Sequence, residues 1–295
     1  MDPLSLAGTA AIVTGAGAGL GRAEALALAA AGAGVVVNDL PGRAADTVAD
    51  VEALGARALA VEGDVGDAAT ARALVDAAVE HFGGLHVVVN NAGLTRDRML
   101  FNLSDQEWDE VLRVHLRGHF LLSRDACAYW RDRARATGGP TYGRVVNTSS
   151  EAFALGPPGQ ANYAAAKAGI TALTLATDRA MARHGVTANA ICPRARTAMT
   201  AHVFGPAPEG ADPLSPDQVA PLVAYLASPA SAGVHGQVFL VHSGMVALLA
   251  PPTVERRFDS PSWTPRELHD TVGAYLAGRE ATFAATTLTA TEEEQ

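Results

Sequence analysis

The chain has 295 residues, is 48% hydrophobic and carries a formal net charge of −9. That apolar content can build one large α/β core, and an acidic balance without a sustained basic tract excludes nucleic acid or an anionic membrane surface as the main partner. No apolar run is long enough to span a bilayer and no charged segment precedes an apolar one at the start, so neither a membrane span nor a signal peptide is expected, and the protein is expected to be cytoplasmic.

The first element is the apolar run Ala10-Ala11-Ile12-Val13, which predicts a buried strand over 9–14. It leads into Thr14-Gly15-Ala16-Gly17-Ala18-Gly19-Leu20-Gly21 and then a helical stretch over 20–31. Strand, glycine turn and helix in that order build an anion site. Backbone N–H groups at the helix start point at a phosphate, and missing Cβ atoms let a pyrophosphate approach. Leu20 and Arg22 stand where the strict G-x-G-x-x-G fingerprint wants glycine, so the spacing is Gly-x-x-x-Gly-x-Gly. The plainer alternative is a Gly/Ala-rich turn in an alanine-rich chain. Gly15, Gly19, Leu20 and Gly21 are the candidate phosphate-binding residues.

The second strand, 34–39, ends in Asp39. A carboxylate there accepts hydrogen bonds from both adenosine ribose hydroxyls and repels a 2′-phosphate, which predicts NAD over NADP. Two alternatives stay open: Asp39 could merely cap the following loop, and Arg43 could rescue some NADP binding. Further strands are expected at 57–62, 86–90, 144–148, 186–191 and 237–241, with helices at 44–54, 68–82, 105–136, 160–183 and 216–227. This alternation predicts a Rossmann-like doubly wound parallel sheet of about seven strands, helices on both faces and the ligand crevice at the carboxyl ends of the strands.

Two stretches break the pattern. The segment 137–141 is a loop, and 194–215, with Pro206, Pro208 and Pro213, is expected to be a mobile flap over the crevice. The alternation stops near Pro251-Pro252. Residues 1–249 are therefore expected to form the nucleotide-binding catalytic domain and 250–295 a C-terminal extension. That extension holds one short helix, capped by Thr264 with Pro265 at its first position, and 281–295 is expected to be disordered. Its Phe258, Trp263 and Leu268 suggest packing on something, such as a neighbouring subunit. Cys127 and Cys192 are far apart, match no metal or redox pattern and are expected to be buried, reduced thiols.

Tyr163 and Lys167 are four residues apart within the helix expected at 160–183, so one turn stacks a phenol and an ammonium on one face. The cation is expected to lower the pKa of the phenol. Ser150 lies upstream of both, at the end of a strand.

With these residues the chain resembles the short-chain dehydrogenase/reductase family over roughly residues 6–245. The resemblance rests on the glycine turn, Asp64-Val65, Asn90-Asn91-Ala92-Gly93, the Ser150, Tyr163 and Lys167 set, and Asn189-Ala190-Ile191-Cys192-Pro193. Closer in, Val35 to Leu40, Arg96-Asp97-Arg98, Val114-His115-Leu116-Arg117-Gly118 and Gly159 to Tyr163 look like one branch. That branch is the (3R)-hydroxyacyl-CoA dehydrogenase domain of peroxisomal multifunctional enzyme (D-bifunctional protein), with its stand-alone bacterial relatives.

The resemblance implies hydride transfer between a secondary alcohol and the nicotinamide of NAD, with (3R)-3-hydroxyacyl-CoA and 3-oxoacyl-CoA as the pair interconverted. The rival substrates are hydroxysteroids and 3-oxoacyl-carrier-protein, and a catalytically silent NAD(H)-sensing protein is the reading from a different class. A carbonyl gaining hydride becomes an alkoxide, which needs a proton donor and a stabiliser. Tyr163 is the donor, or the base in oxidation. Lys167 favours the phenolate and would hold the nicotinamide ribose, and Ser150, picked over Ser149 by the family spacing, orients the substrate oxygen. His115 replaces the Asn of most relatives and would relay a proton or hold a water. His119 completes a His-x-x-x-His spacing, but no H-E-x-x-H acid accompanies it and no metal is expected. Asp64, Val65, Asn91, Ala92, Gly93, Pro193 and Thr197 complete the expected cofactor set. Arg194, where relatives carry glycine, and Arg196 either receive an anionic acyl-CoA or form intramolecular ion pairs. The family further implies a homodimer or homotetramer assembled through the helices at 105–136 and 160–183.

Overall fold

Strands β1 (Ala10–Thr14), β2 (Gly34–Asn38), β3 (Ala58–Ala60), β4 (Val87–Asn90), β5 (Gly143–Thr148), β6 (Val186–Pro193), β7 (Val238–His242) and β8 (Met245–Leu248) form one sheet in a computed structural model that describes residues 2–279. Their order is β3-β2-β1-β4-β5-β6-β7-β8. Every neighbouring pair is parallel except β7 and β8. The strands are near-continuous apolar runs because both faces are covered: every residue of β1, β4 and β5 is buried.

The covering helices are α1 (Gly19–Ala30), α2 (Ala45–Ala53), α3 (Ala68–Phe82), α4 (Asp105–Leu112), α5 (Gly118–Thr137), the short α6 (Ala152–Leu155), α7 (Ala161–Met181), α8 (Ala201–Phe204) and α9 (Ala220–Ala227). One core packs α1, α2 and α9 on Val13, Val35, Val37, Val87 and Ile191. The other packs α3 and α5 on Ile12, Val36, Val88 and Val145. Strand alternation separates the two faces: Ile12 and Val13, or Val35 and Val36, point opposite ways. The order of strands reverses between β1 and β4, so the crevice opens there, at the carboxyl ends. Paired register places Thr14 beside Asn38, Asn90 beside Asn147 and Thr148 beside Ile191 at that edge.

Three elements differ in detail from the sequence reading. The helix expected over 105–136 starts on a capping box, in which Ser104 and Glu107 satisfy each other's backbone N–H groups. It is interrupted by a π turn over Arg113–Arg117, which buries Val114 and His115. The helix expected over 216–227 begins as a 3-10 turn, Pro216–Gln218, and becomes α-helical only from Ala220. Strand β8 had no sequence signal because it is four residues long and half exposed, with Val246 and Leu248 facing outward. A two-residue turn joins it to β7, with Ser243 at φ 50° and Gly244 at φ 77°, the both-positive geometry of tight hairpins.

After the sheet, α10 (Pro265–Leu268) starts on the expected Thr264 cap, continues through a π turn over His269–Gly273 and ends as α11 (Ala274–Ala277). Phe258 does pack, but within this segment: its ring meets the Tyr275 ring edge-on at 5.4 Å, and Glu255 accepts from Tyr275 Oη and pairs with Arg279. The disorder expected over 281–295 lies outside the described residues. Cys192 is buried as expected, whereas Cys127 is half-buried, and both are free thiols. No helix among the described residues is long and apolar enough to cross a membrane.

Candidate active site

The glycine turn between β1 and α1 is shaped by close approach. A Cβ on Gly21 would stand 2.4 Å from the Gly15 carbonyl and 2.5 Å from Asn91 Nδ2, so no larger residue fits there. Gly19, at φ 55°, takes the left-handed conformation that starts the helix. No side chain caps α1, which leaves its first N–H groups pointing into the crevice as an anion site. The loop after β4 is sewn to this turn: Asn91 Nδ2 donates to the Thr14 carbonyl at 2.9 Å, and the N–H groups of Asn91 and Ala92 donate to Thr14 Oγ1. Asp39 receives the Leu40 N–H at 2.7 Å on one carboxylate oxygen and the Gly17 N–H at 2.9 Å on the other. It therefore does cap its loop, and each oxygen keeps a further lone pair. Asp64 pairs with Arg113 at 2.8 Å, which holds its carboxyl below the usual carboxylate range.

Helix α7 carries Tyr163 and Lys167 on one face, with Lys167 Nζ 5.3 Å from the phenol ring centre. Lys167 is fully buried and donates to the Thr148 carbonyl at 2.6 Å. The two adjacent serines part company. Ser149 turns inward to Thr171 Oγ1 and the Lys167 carbonyl, while Ser150 accepts the Ala152 N–H and stands near enough to the Tyr163 phenol to lower its pKa. Proximity to the phenol speaks for Ser150, whereas Ser149 is the serine that lines the crevice.

Electrostatics correct one expectation. The sequence reading has Lys167 and the nicotinamide of NAD⁺ together pulling the Tyr163 pKa down; in the protein alone, burial pushes that phenol up to about 12, and the Ser150 side chain alone pulls the other way. The same burial presses Lys167 down to about 7, so its ammonium loses charge near neutral pH. Taking either group out of water penalises its charged form more than a neighbour several ångströms away can restore.

His115, exposed by only 1%, meets the Tyr163 ring edge-on at 5.2 Å. Its Nε2 lies 3.0 Å from the Leu94 nitrogen and 2.7 Å from the Leu94 oxygen, so the tautomer decides whether it accepts or donates. Burial first, and the Lys167 charge second, hold its pKa well below the ordinary value, which makes it a neutral imidazole. His119 is likewise held at about 3 by burial. Neither Arg194 nor Arg196 is available for an incoming anion. Arg194 forms a bidentate pair with Glu151 at 2.5 and 2.6 Å, and Arg196 pairs with Asp212 at 2.8 Å while donating to the Phe204 and Gly205 carbonyls. Of the two sequence alternatives, the intramolecular one holds.

One crevice brings together Gly15, Gly19, Leu20, Gly21, Asp39, Asp64, Val65, Asn91, Ala92, Gly93, Tyr163, Lys167, Pro193 and Thr197, with His115 on its wall; of the two serines, Ser149 lines it and Ser150 does not. Leu94, Arg96, Met199 and Thr200 also line it. Apart from Arg96, which belongs to the Arg96-Asp97-Arg98 motif, these carry no local sequence signal, because loops reach the site only once the sheet has assembled. Its features suit a dinucleotide: a glycine cradle closed to any Cβ, an uncapped helix start and a carboxylate at the tip of β2. Among the described residues, no group of three His, Cys, Asp or Glu side chains is placed to hold a metal ion.

Comparison with known proteins points the same way. A family model described as short chain dehydrogenase matches residues 9–205. Hydroxyacyl-CoA dehydrogenase ChsB1 of Mycobacterium tuberculosis is 60% identical over 298 aligned residues, covering 96% of this chain and 94% of that protein. Peroxisomal multifunctional enzyme type 2 of Mus musculus is 40% identical over 260 residues, covering 84% of this chain but 33% of that longer protein. Among solved structures, a short chain dehydrogenase from Mycobacterium avium superposes with a TM-score of 0.86 at 44% identity, covering 94% of this chain and 97% of the other.

Proposed function

Because this chain belongs to the short-chain dehydrogenase family, we propose that it is an NAD-dependent oxidoreductase interconverting (3R)-3-hydroxyacyl-CoA and 3-oxoacyl-CoA. The observation that carries the reaction type is the meeting of Tyr163 and Lys167 beside the glycine cradle in one crevice, with Ser150 next to the Tyr163 phenol. Support for the thioester comes from the 60% identical hydroxyacyl-CoA dehydrogenase, which aligns along nearly its whole length.

When bound, the nicotinamide cofactor supplies the two-electron hydride acceptor and, oxidised, a positive charge that favours a nearby phenolate. The protein does the rest. Tyr163 Oη takes the proton of the substrate hydroxyl as that carbon gives up its hydrogen, and returns it in reduction. Ser150 holds both the phenol and the substrate oxygen, which fixes the line of proton transfer. Lys167 is anchored through Thr148 with Nζ 5.3 Å from the phenol ring centre, and its protonated form sets a positive charge beside the phenolate. Neutral His115 stands against the Tyr163 ring, its Nε2 engaged by the Leu94 backbone, and helps to hold that ring in place. Asp39 presents carboxylate oxygens to the ribose hydroxyls and repels a 2′-phosphate, which is the basis for NAD. The same carboxylate weighs against 3-oxoacyl-carrier-protein reduction, a step usually fed by NADPH.

Initial rates of NADH formation with (3R)-3-hydroxyacyl-CoA esters, run beside NADP⁺ and a hydroxysteroid panel, test this reading. Turnover of the thioester is expected with NAD⁺ favoured by about a hundredfold, the scale of one close like-charge contact. Oxidation of steroids alone would keep the mechanism and overturn the substrate. The reading extends to assembly. Phe120 is 41% exposed and, with Leu116 and Leu112, lines an open groove along α4 and α5. We expect a homodimer or homotetramer by light scattering coupled to size exclusion, and a monomer at micromolar concentration would remove these helices as an interface.

A further inference from the structure

The ion pair between Glu151 and Arg194 joins two loops that the sequence keeps 43 residues apart. Glu151 directly follows Ser150, beyond the end of β5, and Arg194 directly follows Pro193, the last residue of β6. Both carboxylate oxygens and two guanidinium nitrogens are engaged, and the side chains are only 12% and 27% exposed. Two parallel charge-assisted bonds at that depth fix orientation as well as distance. Glu151 also starts the short helix α6, which packs on α7, the helix that carries Tyr163 and Lys167. The flanking backbone is pinned nearby, because the Ser149 N–H donates to the Ile191 carbonyl and the Arg194 N–H to the Val241 carbonyl. Ser150 itself has one backbone bond on its side chain, from the Ala152 N–H at a long 3.2 Å.

We propose that the Glu151–Arg194 pair is a positioning device for Ser150: it clamps the turn after β5 to the end of β6 and so holds the Ser150 hydroxyl on the Tyr163 phenol. Neither side chain touches the reacting atoms, and the pair acts through the serine. The inference rests on the reading of Ser150 and Tyr163 as the reacting pair. Other ionisable groups face this region. His242, at the end of β7, has its pKa lowered by burial and by Arg194, while Cys192 and Asp97 push the Tyr163 phenol up. The clamp therefore leaves a signature beyond rate. Loosening Ser150 withdraws the one neighbour that lowers the Tyr163 pKa, so the pH limb of the reaction moves to higher pH.

The test measures kcat, the cofactor KM and the pH profile of alcohol oxidation for Glu151→Gln, Arg194→Gln, Arg194→Lys and the swapped double variant Glu151→Arg with Arg194→Glu. Ser150→Ala is the reference. Misplacement of a reacting group costs up to about a hundredfold, so the two Gln variants are expected to lose about tenfold in kcat, with the cofactor KM unchanged and the pH limb shifted upward. Arg194→Lys or the swap should recover part of the loss, with thermal melting confirming the fold of each. Wild-type kcat and pH profile in a folded Glu151→Gln variant, alongside a collapsed Ser150→Ala, would overturn the clamp alone. Full activity in Ser150→Ala would overturn the reading of the site on which the clamp rests.

Discussion

Tyr163→Phe is expected to cut turnover by about a thousandfold while NAD still binds, because general acid–base groups contribute roughly 10²–10⁴ in rate. The substitution removes one oxygen and leaves the ring that His115 packs against, so the crevice wall stays in place. Stopped-flow turnover, paired with fluorescence titration of NADH, separates the two effects. The wild type carries a second signature. Oxidation needs the phenolate, and burial has pushed the phenol up to about 12. The oxidation rate should therefore rise with pH across the neutral and alkaline range, and reduction, which needs the phenol, should not. In the Phe variant that rising limb disappears. Equal turnover in the variant would remove Tyr163 from the mechanism and favour a protein that senses NAD(H) without reacting.

Glu24 yields the other large effect, in stability instead of rate. It lies in α1 among Leu20, Ala25 and Leu28, is fully buried, and neither of its carboxylate oxygens has a hydrogen-bond partner among the described residues. Along the helix it stands 200° from Arg22, which reaches Asp50 of α2, so Glu24 occupies the flank away from that ion pair. Burial raises its pKa from 4.5 to about 8. The sign follows from the raised folded value. Below pH 4.5 the acid is neutral in both states and costs nothing in ionisation. Between 4.5 and 8 the unfolded chain releases a proton that the folded chain keeps, so stability falls as pH rises. Above 8 the loss is complete. Glu24→Gln, which cannot ionise, should therefore match the wild type near pH 4 and exceed it by about 3 kcal/mol at pH 7, with the gap widening until about pH 8. Urea unfolding at pH 4.5, 7 and 8.5 measures that gap. A gap independent of pH would mean that the Glu24 carboxyl does not titrate in this window, and a destabilised variant would mean that the carboxylate has a favourable partner. Lys167 and the two buried histidines titrate in the opposite sense, so only the difference between variant and wild type isolates Glu24.

Local sequence carried the parts of this protein whose physics is local. The apolar runs at Ala10–Thr14, Gly34–Asn38 and Val87–Asn90 read as buried strands, and Gly15 and Gly19 answer to the positive φ their turn requires while Gly21 answers to the Gly15 carbonyl. Tyr163 and Lys167 share a face because a helix returns every four residues, and Thr264 caps its helix through atoms three residues away. What remained hidden depends on contacts between distant segments. Strand β8 is too short and too exposed to show an apolar signal. The π turn that buries His115 leaves no pattern in a chain that reads as a continuous helix.

The sequence by itself therefore determined the doubly wound fold, the nucleotide cradle and most of the residues gathered around the crevice, since these are written in short-range patterns. Only the tertiary structure decided their charge and their availability. It buried Lys167 and Glu24 and half-buried Tyr163, and desolvation moved all three in directions that spacing does not report. It also closed Arg194 on Glu151 and Arg196 on Asp212, because the strength of an ion pair depends on where two loops meet in space and on how much water the fold leaves around them.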